Sequence, residues 1–375
     1  MRIGIDTHFV TSVQATGNRT YTTELVRALL QLDRENDYIL YAVADHPYYQ
    51  QFAGNQRVQV RPVLSGNGLA RNFVALPKAI GQDAPDLVHL QFILPWFVRS
   101  PAVLAVHDIY YSHLTKPSFY ERVLAQLTVW SIRRADEIVT LSEYSRQDII
   151  TRCQIKPERI TFVPGGVGKR FAPVVDDERH QSLRSKLGIY RDYLLFLGRT
   201  EDPRKNIATL LDAYTQLRQA GEVNEQLVIA GRHGPDTPAL LADIRAKGLQ
   251  EDILLPGIVP DEDLPTLLSG ARLFVYVSTF EGFGLPVLEA AACGTPVITS
   301  NTTSLPEVAG DAGVLVTPGN AEELKTAMRR VLHDPVLQQQ MRERGLRHAA
   351  TFSWERTANE MLKVYQKIIT SQQKN

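Results

Sequence analysis

A chain of 375 residues exceeds one ordinary domain, and its 44% apolar content is enough for two separately buried cores. The 41 basic and 41 acidic side chains cancel, and charged residues make up only 22%, which excludes a strongly basic nucleic-acid binder and a disordered chain. The two cysteines, Cys153 and Cys293, lie far apart with no Cys/His cluster, pointing to a reducing compartment and away from a zinc site.

The N-terminal MRIGIDTHFV is expected to be a buried strand and not a signal peptide, and no apolar run reaches membrane-spanning length. A cytoplasmic protein is therefore expected, with association at the inner face of a membrane left open. In chain order the first half offers the strands RIGIDT, YILYAVA, DLVHLQ, AVLAVHD, EIVTLS and RITFVPGG. The helix GNRTYTTELVRALLQL follows the first, with Leu25, Ala28, Leu29 and Leu32 at helical spacing. FYERVLAQLTVWSIRRADEI is broadly apolar with an arginine pair and is expected to be a core helix, a membrane-docking face being the alternative. GGVGKR lacks the spacing of a phosphate loop, since Lys169 is followed by Arg170 and no helix pattern follows. Residues 171–189 have no strand-like run and are expected to form a linker leading into a short helix. The alternation then restarts with YLLFLG, QLVIAG, ILLPG, LFVYVS, PVITS and GVLVTP. Two doubly wound α/β domains of similar size fit this pattern, with ligands beyond the carboxyl ends of the strands.

Three strand-to-helix turns carry unusual residues. In EGFGLPVLEA, residues 281–290, Pro286 suits the first position of a helix. Gly282, Phe283, Gly284 and Leu285 then present backbone N–H groups at a helix N-terminus, a setting that favours an anion such as phosphate. Glu281 precedes this turn and Glu289 lies about one turn into the helix; two carboxylates there suit a ligand that also offers sugar hydroxyls. Taken singly, Glu289 reads equally well as a helix-favouring acid and Glu281 as a solvated loop residue. In LLFLGRTEDPRKNIATLLDAY, Arg199 leaves a strand and Lys205 enters the next helix, so both cations can converge on one anion; a solvated face is the plainer reading. In TSVQATGNRTYTTELV, Gly17 permits close backbone approach beside a helix start, or merely a turn. The string DED at 261–263 reads as a helix cap with acids in the first turn and not as a metal ligand set, so no metal site is expected.

Together these turns closely resemble the retaining glycosyltransferases with the GT-B fold, family 4 in particular. Residues 281–297, EGFGLPVLEAAACGTPV, reproduce that family's E-x7-E signature, and the segments LFLGRTEDPRKNIATLLDAY, ILLPGIVPDEDLPTLLSGARLFVYVST and SLPEVAGDAGVLVTPGN are similar to its neighbouring blocks. DLVHLQ, VLAVHDI and IVTLSEYSRQDI match more loosely, and FSWERTANEMLKVYQKI is similar to the family's returning last helix. PGGVG at 164–168 replaces the PNGVD of many relatives, and Gly17 is the one glycine of the first loop.

The resemblance implies a GT-B fold of two Rossmann-like doubly wound domains facing each other across a cleft. It places an acceptor-side domain at 1–170, the linker at 171–189, a donor-nucleotide domain at 190–352 and a returning helix at 353–375. Arg199 and Lys205 would bind the donor diphosphate together with amides of Gly282 to Leu285. Glu289 would take the ribose hydroxyls, Ile258 and Val259 would border the base, and Gly17 would join the donor-binding set. Glu281 and His107 would face the transferred sugar as the catalytic pair. The implied function is retaining transfer from a nucleotide diphosphate sugar, UDP-linked in preference to GDP-mannose, to a hydroxyl of a glycan or lipid-linked acceptor. Neither cofactor nor metal is implied. The alternative is a noncatalytic nucleotide-sugar or glycan-binding subunit.

Overall fold

The computed structural model describes residues 1–12, 16–43, 45–64 and 67–372. Among them are two fully parallel sheets. The first contains β1 (Arg2–Asp6), β2 (Asp37–Ala42), β3 (Val58–Pro62), β4 (Leu87–Gln91), β5 (Ala102–Ala105), β6 (Glu137–Thr140) and β7 (Ile160–Phe162), in the spatial order β3-β2-β1-β4-β5-β6-β7. The second contains β8 (Tyr193–Leu197), β9 (Gln226–Ala230), β10 (Ile253–Gly257), β11 (Leu273–Tyr276), β12 (Val297–Ser300) and β13 (Val314–Val316), in the order β10-β9-β8-β11-β12-β13. Helices cover both faces, so β4, β5, β9, β11 and β12 are buried at every position. Each strand order reverses direction once, between β1 and β4 and between β8 and β11, and a crevice for ligands opens at such reversals.

Every strand expected from the sequence is present. The addition is β3, an edge strand whose Val-Gln-Val-Arg-Pro is half exposed and ends in proline, so it offers no apolar run to recognise.

Met1–Gly166 and the C-terminal helix Trp354–Gln372 form one unit, and Val167–Phe352 the other. The C-terminal helix packs on the helix Thr16–Leu32 and buries a stripe of Ala358, Met361, Tyr365 and Ile368. It is pinned by Tyr365, whose hydroxyl lies 2.7 Å from His89 Nδ1, and by the Lys367–Glu137 ion pair at 2.8 Å. A Cβ at Gly166 would come within 2.3 Å of the Trp354 backbone nitrogen, so glycine is required where the chain recrosses itself.

Residues 171–189 are not a free connector. Phe171, Leu183 and Ile189 are buried, the helix Asp177–Leu187 packs on the helix Leu264–Ser269, and Lys186 pairs with Asp263 at 3.0 Å, so this segment belongs to the second unit. The helix Phe119–Arg134 is not a core helix either: of its residues only Ser131 and Ile132 are buried. No described helix is long and apolar enough to cross a membrane. Cys153 and Cys293 are both buried free thiols.

Candidate active site

In the second unit, the reversal between β8 and β11 brings two connecting segments together. Beyond β8, Asp202 caps a short 3-10 turn, Pro203–Lys205, by accepting the Arg204 backbone N–H at 3.1 Å. Its carboxylate also accepts from the guanidinium groups of Arg199 (3.0 Å) and Arg204 (2.7 Å). Burial works to raise the pKa of Asp202, but the surrounding Arg204, Lys205 and Arg199 hold it well below the usual carboxylate range. Asn206, at a φ of +54°, turns the chain before the helix Ile207–Gln219 and donates to Val277 O at 3.0 Å. Thr279 N donates to Arg204 O at 2.8 Å. Lys205 therefore stands in a rigid turn stitched to the end of β11 and not in the helix itself.

That stitching delivers Lys205 Nζ to within 2.6 Å of Glu281 Oε1. Nζ also donates to the hydroxyl of Tyr276, the last residue of β11, and that hydroxyl donates to the same Glu281 oxygen at 2.9 Å. The side chains of Lys205 and Glu281 are each 15% exposed. Burial alone would lower the pKa of Lys205 and raise that of Glu281, but their mutual attraction reverses both, so each is held in its charged form. Burial and the Glu281 charge push the Tyr276 phenol upward, keeping it a neutral donor.

The EGFG turn that follows is locked from below. Ser304 Oγ, fully buried, lies 2.9 Å from Glu281 O and 2.8 Å from Phe283 O, and Glu281 N donates to Thr303 Oγ1 at 3.3 Å. Gly284 sits at a φ of +110° at the N-cap, where a Cβ would also meet Leu305 at 2.8 Å, so the position excludes side chains twice over. The helix Leu285–Ala292 thus begins without a side-chain cap, one residue earlier than expected, with Pro286 in its second position. Gly282, Phe283 and Leu285 are buried, and Glu289 is half-buried one turn in.

The other expected site residues fall out as follows. Arg199 is tied to Asp202 and Lys205 to Glu281, so the two cations hold separate carboxylates instead of converging directly. Ile258 is 64% exposed and Val259 buried, just past the end of β10. The ends of β8 and β9 are crowded: Gly231, at a φ of +145°, would place a Cβ 1.9 Å from Gly198 O. Of DED, Asp263 occupies the N-cap of Leu264–Ser269 without a side-chain capping bond and pairs with Lys186 instead, and no acid lies in the first turn. Among the described residues no group of three or more His, Cys, Asp or Glu side chains is arranged to hold a metal.

In the first unit His107 follows β5, with the rings of Tyr21 and Phe92 centred 4.4 and 5.4 Å away. Both its ring nitrogens are buried without a hydrogen-bond partner among the described residues. Burial pulls the imidazole down to about 3, and repulsion from His89, when that ring is protonated, adds to it. Gly17 lies in the first turn of Thr16–Leu32, exposed, with nothing in the described chain within 4 Å of a Cβ there. It answers no close approach among the described residues, and residues 13–15 of that loop lie outside them.

The model described as Glycosyltransferase Family 4 matches residues 15–169, and that described as Glycosyl transferases group 1 matches residues 180–348. The O-antigen chain mannosyltransferase B of Escherichia coli is 35% identical over 268 residues, which cover 70% of each chain. The protein belongs to glycosyltransferase family 4. A second relative, the serotype-specific mannosyltransferase WbdA of Escherichia coli, is 31% identical over 319 residues, 79% of this chain but 38% of that longer protein. The fold of this family 4 chain is GT-B: a structure of Anabaena HepE in complex with UDP and glucose superposes with a TM-score of 0.76 over 98% of this chain and 100% of that one, at 20% identity.

Within this glycosyltransferase, sequence reasoning missed Tyr276, Asp202 and Ser304. Asp202 carried a usable signal, an aspartate directly before proline at a strand-to-helix turn. Tyr276 and Ser304 carried none, because Lys205, which meets Tyr276, and the Glu281 and Phe283 carbonyls, which meet Ser304, lie 71, 23 and 21 residues away.

Proposed function

We propose that the protein transfers a hexosyl group from a nucleotide diphosphate sugar to a hydroxyl of a glycan or lipid-linked acceptor, with retention of anomeric configuration. The observation that carries this is the Lys205–Tyr276–Glu281 cluster beside an uncapped helix N-terminus. An ammonium has three N–H donors, and Tyr276 and Glu281 use two, leaving one for a phosphate oxygen. Arg199, one third exposed, can reach the same diphosphate without leaving Asp202, since only Nη2 is engaged there. With the helix dipole, these cations would stabilise the departing diphosphate in place of a divalent metal ion.

Glu281 Oε2 takes no part in the contacts to Lys205 and Tyr276, which both fall on Oε1, and it is assigned to a hydroxyl of the transferred sugar. Glu289 is assigned to the ribose, Ile258 to the base and neutral His107 to the transferred sugar. No residue of the cluster is arranged as a nucleophile with a base, which favours front-face displacement. The anomeric carbon–phosphate bond breaks, the bond to the acceptor oxygen forms on the same face, and the leaving phosphate takes the acceptor proton. The mannosyltransferase relatives move the preferred donor from a UDP-sugar to GDP-mannose. Assay of GDP-mannose, UDP-glucose and UDP-galactose hydrolysis tests the reading: turnover of one of them, lost in Glu281→Ala, supports it, and nucleotide binding with no turnover of any donor or acceptor pair overturns it.

A further inference from the structure

The helix Phe119–Arg134 leaves an apolar stripe unburied. Phe119, Val123, Leu127 and Trp130 recur at helical spacing, Phe119 is 84% exposed, and the others are only half-buried. Trp130 meets Trp96 edge-on at 5.9 Å, and Trp96 in turn meets Phe73 at 5.4 Å. Arg134 lies 4.3 Å over the Trp130 ring and donates to Pro95 O and Trp96 O at 3.2 Å each. That clamp fixes the loop so that Phe97 projects, 74% exposed, beside exposed Trp96. Leu69 and Val74, in the same helical stretch as Phe73, are both about two-thirds in water.

The charge around this surface is predominantly positive. Segment 93–134 carries Arg99, Lys116, Arg122, Arg133 and Arg134 against Asp108 and Glu121, although the whole chain is neutral. Arg99, Lys116 and Arg122 are all exposed. Tryptophan and phenylalanine rimmed by arginine and lysine are what an interface of acyl chains and anionic headgroups selects. Protein interfaces share the aromatics and arginines but are depleted in lysine, so the net positive rim, Lys116 included, favours lipid phosphates as the occupant. We propose that this face docks on the surface of an anionic phospholipid bilayer, Trp96 and Phe97 entering the headgroup layer and Arg99, Lys116 and Arg122 meeting lipid phosphates. The proposal is independent of the donor assignment.

The test is co-sedimentation of the full chain with vesicles of phosphatidylcholine alone or of equal parts phosphatidylcholine and phosphatidylglycerol. The expected result is binding to the anionic vesicles that weakens with salt. The paired substitution Trp96→Ser with Phe97→Ser should lower it by about tenfold or more, as expected if two large side chains no longer leave water. Circular dichroism and donor hydrolysis in solution should stay unchanged. Of the three tryptophans only Trp354 is buried, so brominated lipid should quench wild-type emission through Trp96 and Trp130. Absence of anionic-vesicle binding, or equal binding by the paired variant, overturns the proposal. So does a lipid-free dimer that the variant converts to monomer, which would make the face a contact between copies.

Discussion

Replacing Lys205 with methionine removes one charge from a nearly dry pair and leaves Glu281 with hydroxyl donors such as Tyr276 and the weaker attraction of Arg204. Breaking a buried ion pair by deleting one partner typically costs about 3–5 kcal/mol, because the remaining charge is stranded. The 15% exposure of both side chains places the expected loss at the lower end, about 3 kcal/mol at pH 7. For a unit of this size that is roughly a 6–12 °C fall in the midpoint of its thermal transition. The sign of the pH dependence separates this cause from lost packing. In the wild type Lys205 depresses the Glu281 pKa, so the pair's contribution is present above the ordinary carboxylate pKa and is lost as pH falls through the depressed value. In Lys205→Met burial, the largest influence on Glu281, is opposed only by the weaker Arg204 charge and the remaining hydroxyl donors and raises its pKa, so the variant regains stability on acidification while the wild type does not. Differential scanning calorimetry between about pH 5 and 8 should show the gap between the two proteins narrowing toward acid. Adding Glu281→Gln to Lys205→Met should restore part of the loss. A gap constant across that range, with no recovery in the double variant, would refute the reasoning.

Other outcomes follow from the same geometry. Glu289→Ala should weaken nucleotide binding by about 1.5–3 kcal/mol in calorimetric titration, the scale of a hydrogen bond to a charged group, while Glu281→Ala should cut turnover and leave free-nucleotide affinity nearly unchanged. The buried imidazole of His107, ordinarily near 6.5 and here about 3, stays neutral in the folded protein while the unfolded chain takes up a proton. Stability should therefore decline as pH drops below 6.5, and chemical denaturation of His107→Gln should show a shallower decline. Turnover should survive EDTA with no gain from added magnesium, whereas Lys205→Ala should lose about 100-fold, as for removal of one preorganised donor at a developing oxyanion; metal-dependent recovery would return DED to consideration.

The strand-by-strand alternation was readable because parallel strands covered on both faces become continuous apolar runs, as in QLVIA and LFVY. The edge strand β3 escaped that signal, being half exposed. The carboxylates Glu281 and Glu289 stood out because one short turn holds both. Tyr276 did not, since its role exists only once β8 and β11 lie side by side and bring a lysine from 71 residues away to its hydroxyl. The helix Phe119–Arg134 was misjudged for a related reason. Apolar content shows that a face seeks cover but not whether the rest of the chain supplies it, and here most of that face is left uncovered.

The central claim is transfer with retention at the turn that Glu281 opens. An NMR time course with GDP-mannose and an acceptor glycan, recorded early enough to observe the first product before any mutarotation, tests it most directly. A first product carrying the donor's own anomeric configuration is predicted, and an inverted product would contradict both the front-face displacement and the roles given to Glu281 and His107.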